Sequence, residues 1–96
     1  MAEQQIPKVV SVTDGKALTL SDHAKNSISE RGLSLEWVER TVRHPEWTEI
    51  DPMPERQRRY RAISEYGDRI MRIVCFETEK EIRIITAFFD RKAKRP

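Results

Sequence analysis

Arg69-Ile70-Met71-Arg72-Ile73-Val74-Cys75-Phe76 decides the fold. Its apolar residues, Ile70, Met71, Ile73, Val74, Cys75 and Phe76, run too continuously for a strand with one wet face, so the strand is central and covered on both sides. Tyr66-Gly67-Asp68 and Thr78-Glu79-Lys80 read as the turns that bound it. Two further strands flank it: Arg56-Gln57-Arg58-Arg59-Tyr60-Arg61-Ala62-Ile63 before, and Glu81-Ile82-Arg83-Ile84-Ile85-Thr86-Ala87-Phe88-Phe89 after. Successive strand side chains point to opposite faces. Tyr60 and Ala62 therefore share one face, and Arg59, Arg61 and Ile63 the other. The same alternation puts Ile82, Ile84, Thr86 and Phe88 together, with Arg83, Ile85, Ala87 and Phe89 opposite. The result is an antiparallel meander with an unusual density of arginine.

Two helices precede it. Ser21 is a good N-cap, because its hydroxyl can accept from the unpaired N–H groups of the first turn, and Asp22 suits the positive end of the helix dipole. The helix runs to Arg31 with a thin inward stripe at Ala24 and Ile28, and Gly32 stops it in the left-handed conformation. Ser34 caps a second helix whose buried face is Leu35, Val38 and Val42, with Trp37 and Thr41 beside them and Leu33 and Val38 placed as a hydrophobic staple. His44-Pro45 ends it. Residues 46–55 read as a connector. Upstream, Val9-Val10-Ser11-Val12, Asp14-Gly15 and Ala17-Leu18-Thr19-Leu20 suit either a short hairpin or a single strand over residues 18–20. The expected class is α+β: two N-terminal helices packed on a twisted antiparallel sheet of three to four strands.

Ninety-six residues make one domain, 1–96, with residues 1–7 as a flexible tail and 91–96 as a basic C-terminal tail. Hydrophobic residues are 38% and charged ones 35%, so a small core sits under a charged surface. The single cysteine, Cys75, cannot form an internal disulfide and suits a reducing compartment. No apolar run could span a bilayer, and the N-terminus has no signal-peptide pattern, so the cytoplasm is expected, away from membranes. One cysteine and two separated histidines give no zinc site, and there is no glycine-rich phosphate loop, so neither metal nor cofactor is expected. The net charge of +2 hides an asymmetry: residues 1–55 hold 6 Lys/Arg against 10 Asp/Glu, and residues 56–96 hold 12 against 6. Such a split suits either a basic sheet or tail that meets a polyanion or an ordinary mixed-charge surface whose halves neutralise each other.

Ser21-Asp22-His23-Ala24, Glu30-Arg31-Gly32-Leu33-Ser34 and Val38 resemble the opening of a small domain-of-unknown-function family. Arg59-Tyr60-Arg61-Ala62, residues 67–74 and Ile82-Arg83-Ile84-Ile85-Thr86-Ala87 resemble the BrnT-type toxins, and both belong near the RelE/ParE-like superfamily. The resemblance spans residues 18–92. It implies a small bacterial toxin-antitoxin protein of RelE-like fold that binds RNA or the ribosome, is held by an antitoxin partner, and cuts RNA without a metal. The chain departs from the BrnT pattern at its end, where a further helix is missing.

Metal-free cleavage needs a proton acceptor for the 2′-hydroxyl, charge relief at phosphorus, and a proton for the leaving oxygen. Histidine suits the proton transfers, and the arginine fork suits the phosphate. The candidate catalytic set is therefore His23, Arg61 and Arg83. Arg31, Arg59, Tyr60, Arg72, Arg91 and Lys92 are the candidate RNA-binding residues. Arg59, Arg61, Arg72 and Arg83 could form one phosphate clamp if register brings them to one face. The competing expectation is a non-catalytic interaction module that keeps the fold and binds another chain by a strand edge or the helical face.

Overall fold

The structure, a computed structural model, describes residues 16–96. The expected tail over residues 1–7, and residues 9–12 with the Asp14-Gly15 turn, lie outside the described residues. The order of elements is β1 (Ala17–Leu20), α1 (Asp22–Arg31), α2 (Leu35–Arg43), β2 (Trp47–Ile50), β3 (Arg56–Ile63), a 3-10 turn (Ser64–Tyr66), β4 (Arg69–Glu77) and β5 (Glu81–Phe89). The strands form one sheet in the order β1-β5-β4-β3-β2. β4 is its central strand.

The expectation of a three- to four-stranded antiparallel sheet is overturned. The sheet has five strands and is mixed, because β1 runs parallel to β5 with Leu18 opposite Ile82 and Leu20 opposite Ile84. β2 lies in the stretch read as a connector and pairs antiparallel with β3. The flanking Pro45, Pro52 and Pro54 and the glutamates of this stretch mask a strand signal, and the pairing is set by the return loop. There Asp51 accepts a hydrogen bond from the Met53 N–H at 2.9 Å, and Glu55 takes a positive φ of 67°. A left-handed glutamate has no composition cue, so this hairpin is invisible to turn rules.

Both helices form as their caps dictate. The Ser21 hydroxyl accepts from Ala24 N–H at 3.0 Å, and Gly32 closes α1 at φ 63°. The Ser34 hydroxyl accepts from Trp37 N–H at 3.4 Å. α1 packs over β1 and β5, and α2 over β3 and β4. Ala24, Ile28, Val38 and Val42 meet Ile63, Met71, Ile73, Cys75, Ile82, Ile84 and Ala87 in one core. Leu35, expected on the buried face, is 60% exposed at the first position of α2.

One irregularity reassigns a face. Val74 pairs with Thr86, but Cys75 pairs with Ile84, leaving Ile85 as an extra residue in β5. Ser21 exploits the bulge: its N–H donates to the Ile84 carbonyl and its hydroxyl to the Ile85 carbonyl, both at 3.0 Å. The bulge shifts the alternation by one residue. Ile82, Ile84, Ala87 and Phe89 consequently face the helices, and Arg83, Thr86 and Phe88 face away.

Candidate nucleic-acid interface

The four sheet arginines do not share a face. Pairing sets Arg59 opposite Ile73 and Arg61 opposite Met71 on the helix side, and Arg72 opposite Tyr60 and Phe88 on the far side with Arg83. The clamp expected from these four residues does not form. Arg59 is buried at 6% exposure. It donates to the Val42 carbonyl at 2.9 Å, to Gln57 Oε1 at 2.7 Å and to the Glu77 carboxylate. Arg61 donates to the His44 carbonyl at 2.7 Å. Both cations thus serve the C-terminal carbonyls of α2, where the helix dipole is negative. Arg72 pairs with Asp90 at 3.1 Å and lies over the Phe88 ring, 5.2 Å from its centroid. Tyr60 is buried, stacked on Trp47 at 4.8 Å, and donates to Glu49 at 2.9 Å.

The catalytic set is also dispersed. His23 is exposed in the first turn of α1, over the β1–β5 side of the sheet. Arg61 lies on β3, beyond β4 from β5, and Arg83 is on the opposite face. Cys75 is buried, and burial pushes its thiol up to about 11, which keeps it protonated and unreactive. Among the described residues, no group of three His, Cys, Asp or Glu side chains could hold a metal ion. None of their helices is long and apolar enough to cross a membrane.

A different set converges. Arg31 at the end of α1, Arg69 at the start of β4 and Arg91 just after β5 line one cleft of about 310 Å³ with Gly32, Leu33, Trp37, Tyr66 and Phe89. The three rings pack on each other: Tyr66 on Phe89 at 4.9 Å, Trp37 on Tyr66 at 5.6 Å, and Trp37 edge-on to Phe89 at 6.1 Å. The Arg69 guanidinium lies 5.2 Å from the Tyr66 centroid, and Tyr66 is 45% exposed. No acidic side chain lines this cleft, and none of the three arginines forms an ion pair among the described residues. An adjoining hollow of about 290 Å³ shares Arg69, Phe89 and Arg91 and carries Asp68 and Asp90, the latter already committed to Arg72.

Of the sequence candidates, the structure joins Arg31 and Arg91 here. Lys92 instead lines a separate hollow of about 190 Å³ with Trp47, Glu49, Tyr60, Asp90 and Lys94. Sequence reasoning misses Arg69 and Phe89. Arg69 reads only as the first residue of the central strand, and Phe89 reaches the cleft only because the Ile85 bulge turns it to the helix side. The signal is faint but present: arginines at three element ends, Arg31 next to Gly32, Arg69 two residues after Gly67 and Arg91 two residues after Phe89.

The domain-of-unknown-function family DUF4258 matches residues 20–89, from the end of β1 to the end of β5, and the chain belongs to that family. No curated protein and no solved structure matches the chain.

Proposed function

We propose that this protein binds single-stranded RNA through the Arg31–Arg69–Arg91 cleft, within a toxin-antitoxin setting of the kind its resemblance to BrnT-type proteins suggests. The observation that carries the proposal is the convergence of three guanidiniums without acidic partners on an aromatic wall. Guanidinium forks suit phosphate oxygens, and exposed rings and guanidinium planes suit unstacked bases. The proposed activity is binding rather than cleavage. His23 sits eight residues before Arg31 on α1, about 12 Å along the helix axis, and does not line the cleft.

A second reading, an interaction module for an antitoxin-like chain, draws on the exposed Leu35 over the groove of Leu18, Leu20, Val38 and Ile84. That reading requires Leu35→Glu to abolish pull-down of such a partner while RNA binding persists.

The direct test is fluorescence anisotropy with labelled oligo(U). The variant Arg31→Ala/Arg69→Ala/Arg91→Ala should bind at least about tenfold more weakly. Its slope of log affinity on log salt should fall by about 2, at about 0.7 for each phosphate no longer neutralised. Unchanged affinity and slope would refute the proposal.

A further inference from the structure

The sheet face turned away from the helices carries a second arginine–aromatic arrangement. Pairing sets Arg56 of β3 opposite Phe76 of β4, and Phe76 opposite Arg83 of β5. The three side chains form one row across three strands, with the arginine Cα atoms about 10 Å apart at the usual strand spacing. Phe76 is half-buried and Arg83 exposed.

The other two arginines on this face are already engaged, Arg58 with Asp51 at 2.8 Å and Arg72 with Asp90 at 3.1 Å. Arg56 and Arg83 form no ion pair among the described residues. Glu81 lies two residues before Arg83 on the same face and is not within ion-pair distance of it. Two uncommitted cations therefore flank one aromatic ring. A polyanion of carboxylates would engage the cations and leave the ring unused, whereas a nucleotide uses all three groups.

We infer that Arg56, Phe76 and Arg83 form a second contact for the same single-stranded RNA, a base stacking on Phe76 and its flanking phosphates meeting the two guanidiniums. This inference rests on the RNA reading of the cleft. Arg69 and Phe76 are seven residues apart on β4, about 23 Å, so one strand must pass around the sheet end to reach both.

The test is anisotropy with labelled oligo(U) of about 16 nucleotides, a length that spans an extended binding track. Arg56→Ala/Arg83→Ala should weaken binding about tenfold and lower the salt slope by about 1.4, two phosphates at about 0.7 each. Phe76→Leu keeps an apolar strand residue but removes the ring. It should weaken binding about threefold to tenfold with the slope unchanged, at a melting midpoint matching the wild type. If both variants bind like wild type while Arg69→Ala/Arg91→Ala is weak, the second contact is refuted and the cleft stands. If wild type binds no oligo(U), both fall. If Arg56→Ala/Arg83→Ala loses affinity for polyglutamate but not for oligo(U), the row recognises an acidic protein surface, and the inference is overturned.

Discussion

Arg59 and Arg61 on β3 and Arg31, Arg69 and Arg91 around the cleft are the same residue type in one small molecule, yet their surroundings are opposite. The first two lie under or beside α2 and donate to its terminal carbonyls, with Arg59 also bound to Gln57 and Glu77. The cleft arginines stand at the ends of elements, beside aromatic rings, without acidic partners among the described residues. A guanidinium that donates to the chain's own carbonyls and carboxylates holds structure together, and one whose donors face solvent over an aromatic wall is available to a ligand. Burial and hydrogen-bond partners therefore separate the structural cations from the binding ones, where charge density along the chain could not.

That contrast predicts a division between stability and affinity. Arg59→Ala should have the largest effect, because it leaves the Val42 carbonyl and the Glu77 carboxylate without their buried partner. A loss of about 3–5 kcal/mol is expected in urea unfolding. Should Arg59→Ala unfold like wild type, the structural assignment is broken. The triple cleft variant comes next, losing about 1.4–2.8 kcal/mol of RNA affinity, a tenfold to hundredfold change, with stability kept within about 0.5 kcal/mol. Arg61→Ala should cost about 0.5–1 kcal/mol of stability by removing a cation from the end of α2, and should leave RNA affinity unchanged.

The smallest effect concerns Glu77. Burial pushes its carboxyl up, but hydrogen bonds from Lys16 and Arg59 outweigh this and hold it below its ordinary 4.5. A depressed carboxylate stabilises the fold above about pH 4.5, and that contribution disappears as pH falls through the folded value. Glu77→Gln should therefore show a shallower loss of stability between neutral and strongly acid pH than wild type. An equally steep profile would remove Glu77 from the acid response.

Much of this arrangement is legible in the sequence, and the gaps have physical causes. The helix caps at Ser21, Gly32 and Ser34 follow from local hydrogen bonding and backbone freedom, so short-range rules find them. The central position of β4 follows from its unbroken apolar run, and the two faces of β3 from simple alternation. The parallel pairing of β1 is a tertiary choice with no local mark. β2 hides in a stretch rich in proline and glutamate because its turn depends on a left-handed Glu55. The bulge at Ile85 matters most for the site. Ser21, more than sixty residues earlier, takes both consecutive carbonyls there. The resulting shift in alternation moves Phe89 into the cleft wall and turns Thr86 to the open face. Arg31 and Arg91 are visible as basic residues near element ends, but that they meet Arg69 is a product of the fold.

The most direct test compares oligo(U) titrations of Arg69→Ala/Arg91→Ala and Arg61→Ala alongside wild type, at one salt concentration and matched fold by circular dichroism. The cleft variant should lose about tenfold in affinity and Arg61→Ala should bind as wild type does. Equal losses in both, or a loss only in Arg61→Ala, would contradict the separation of binding arginines from structural ones.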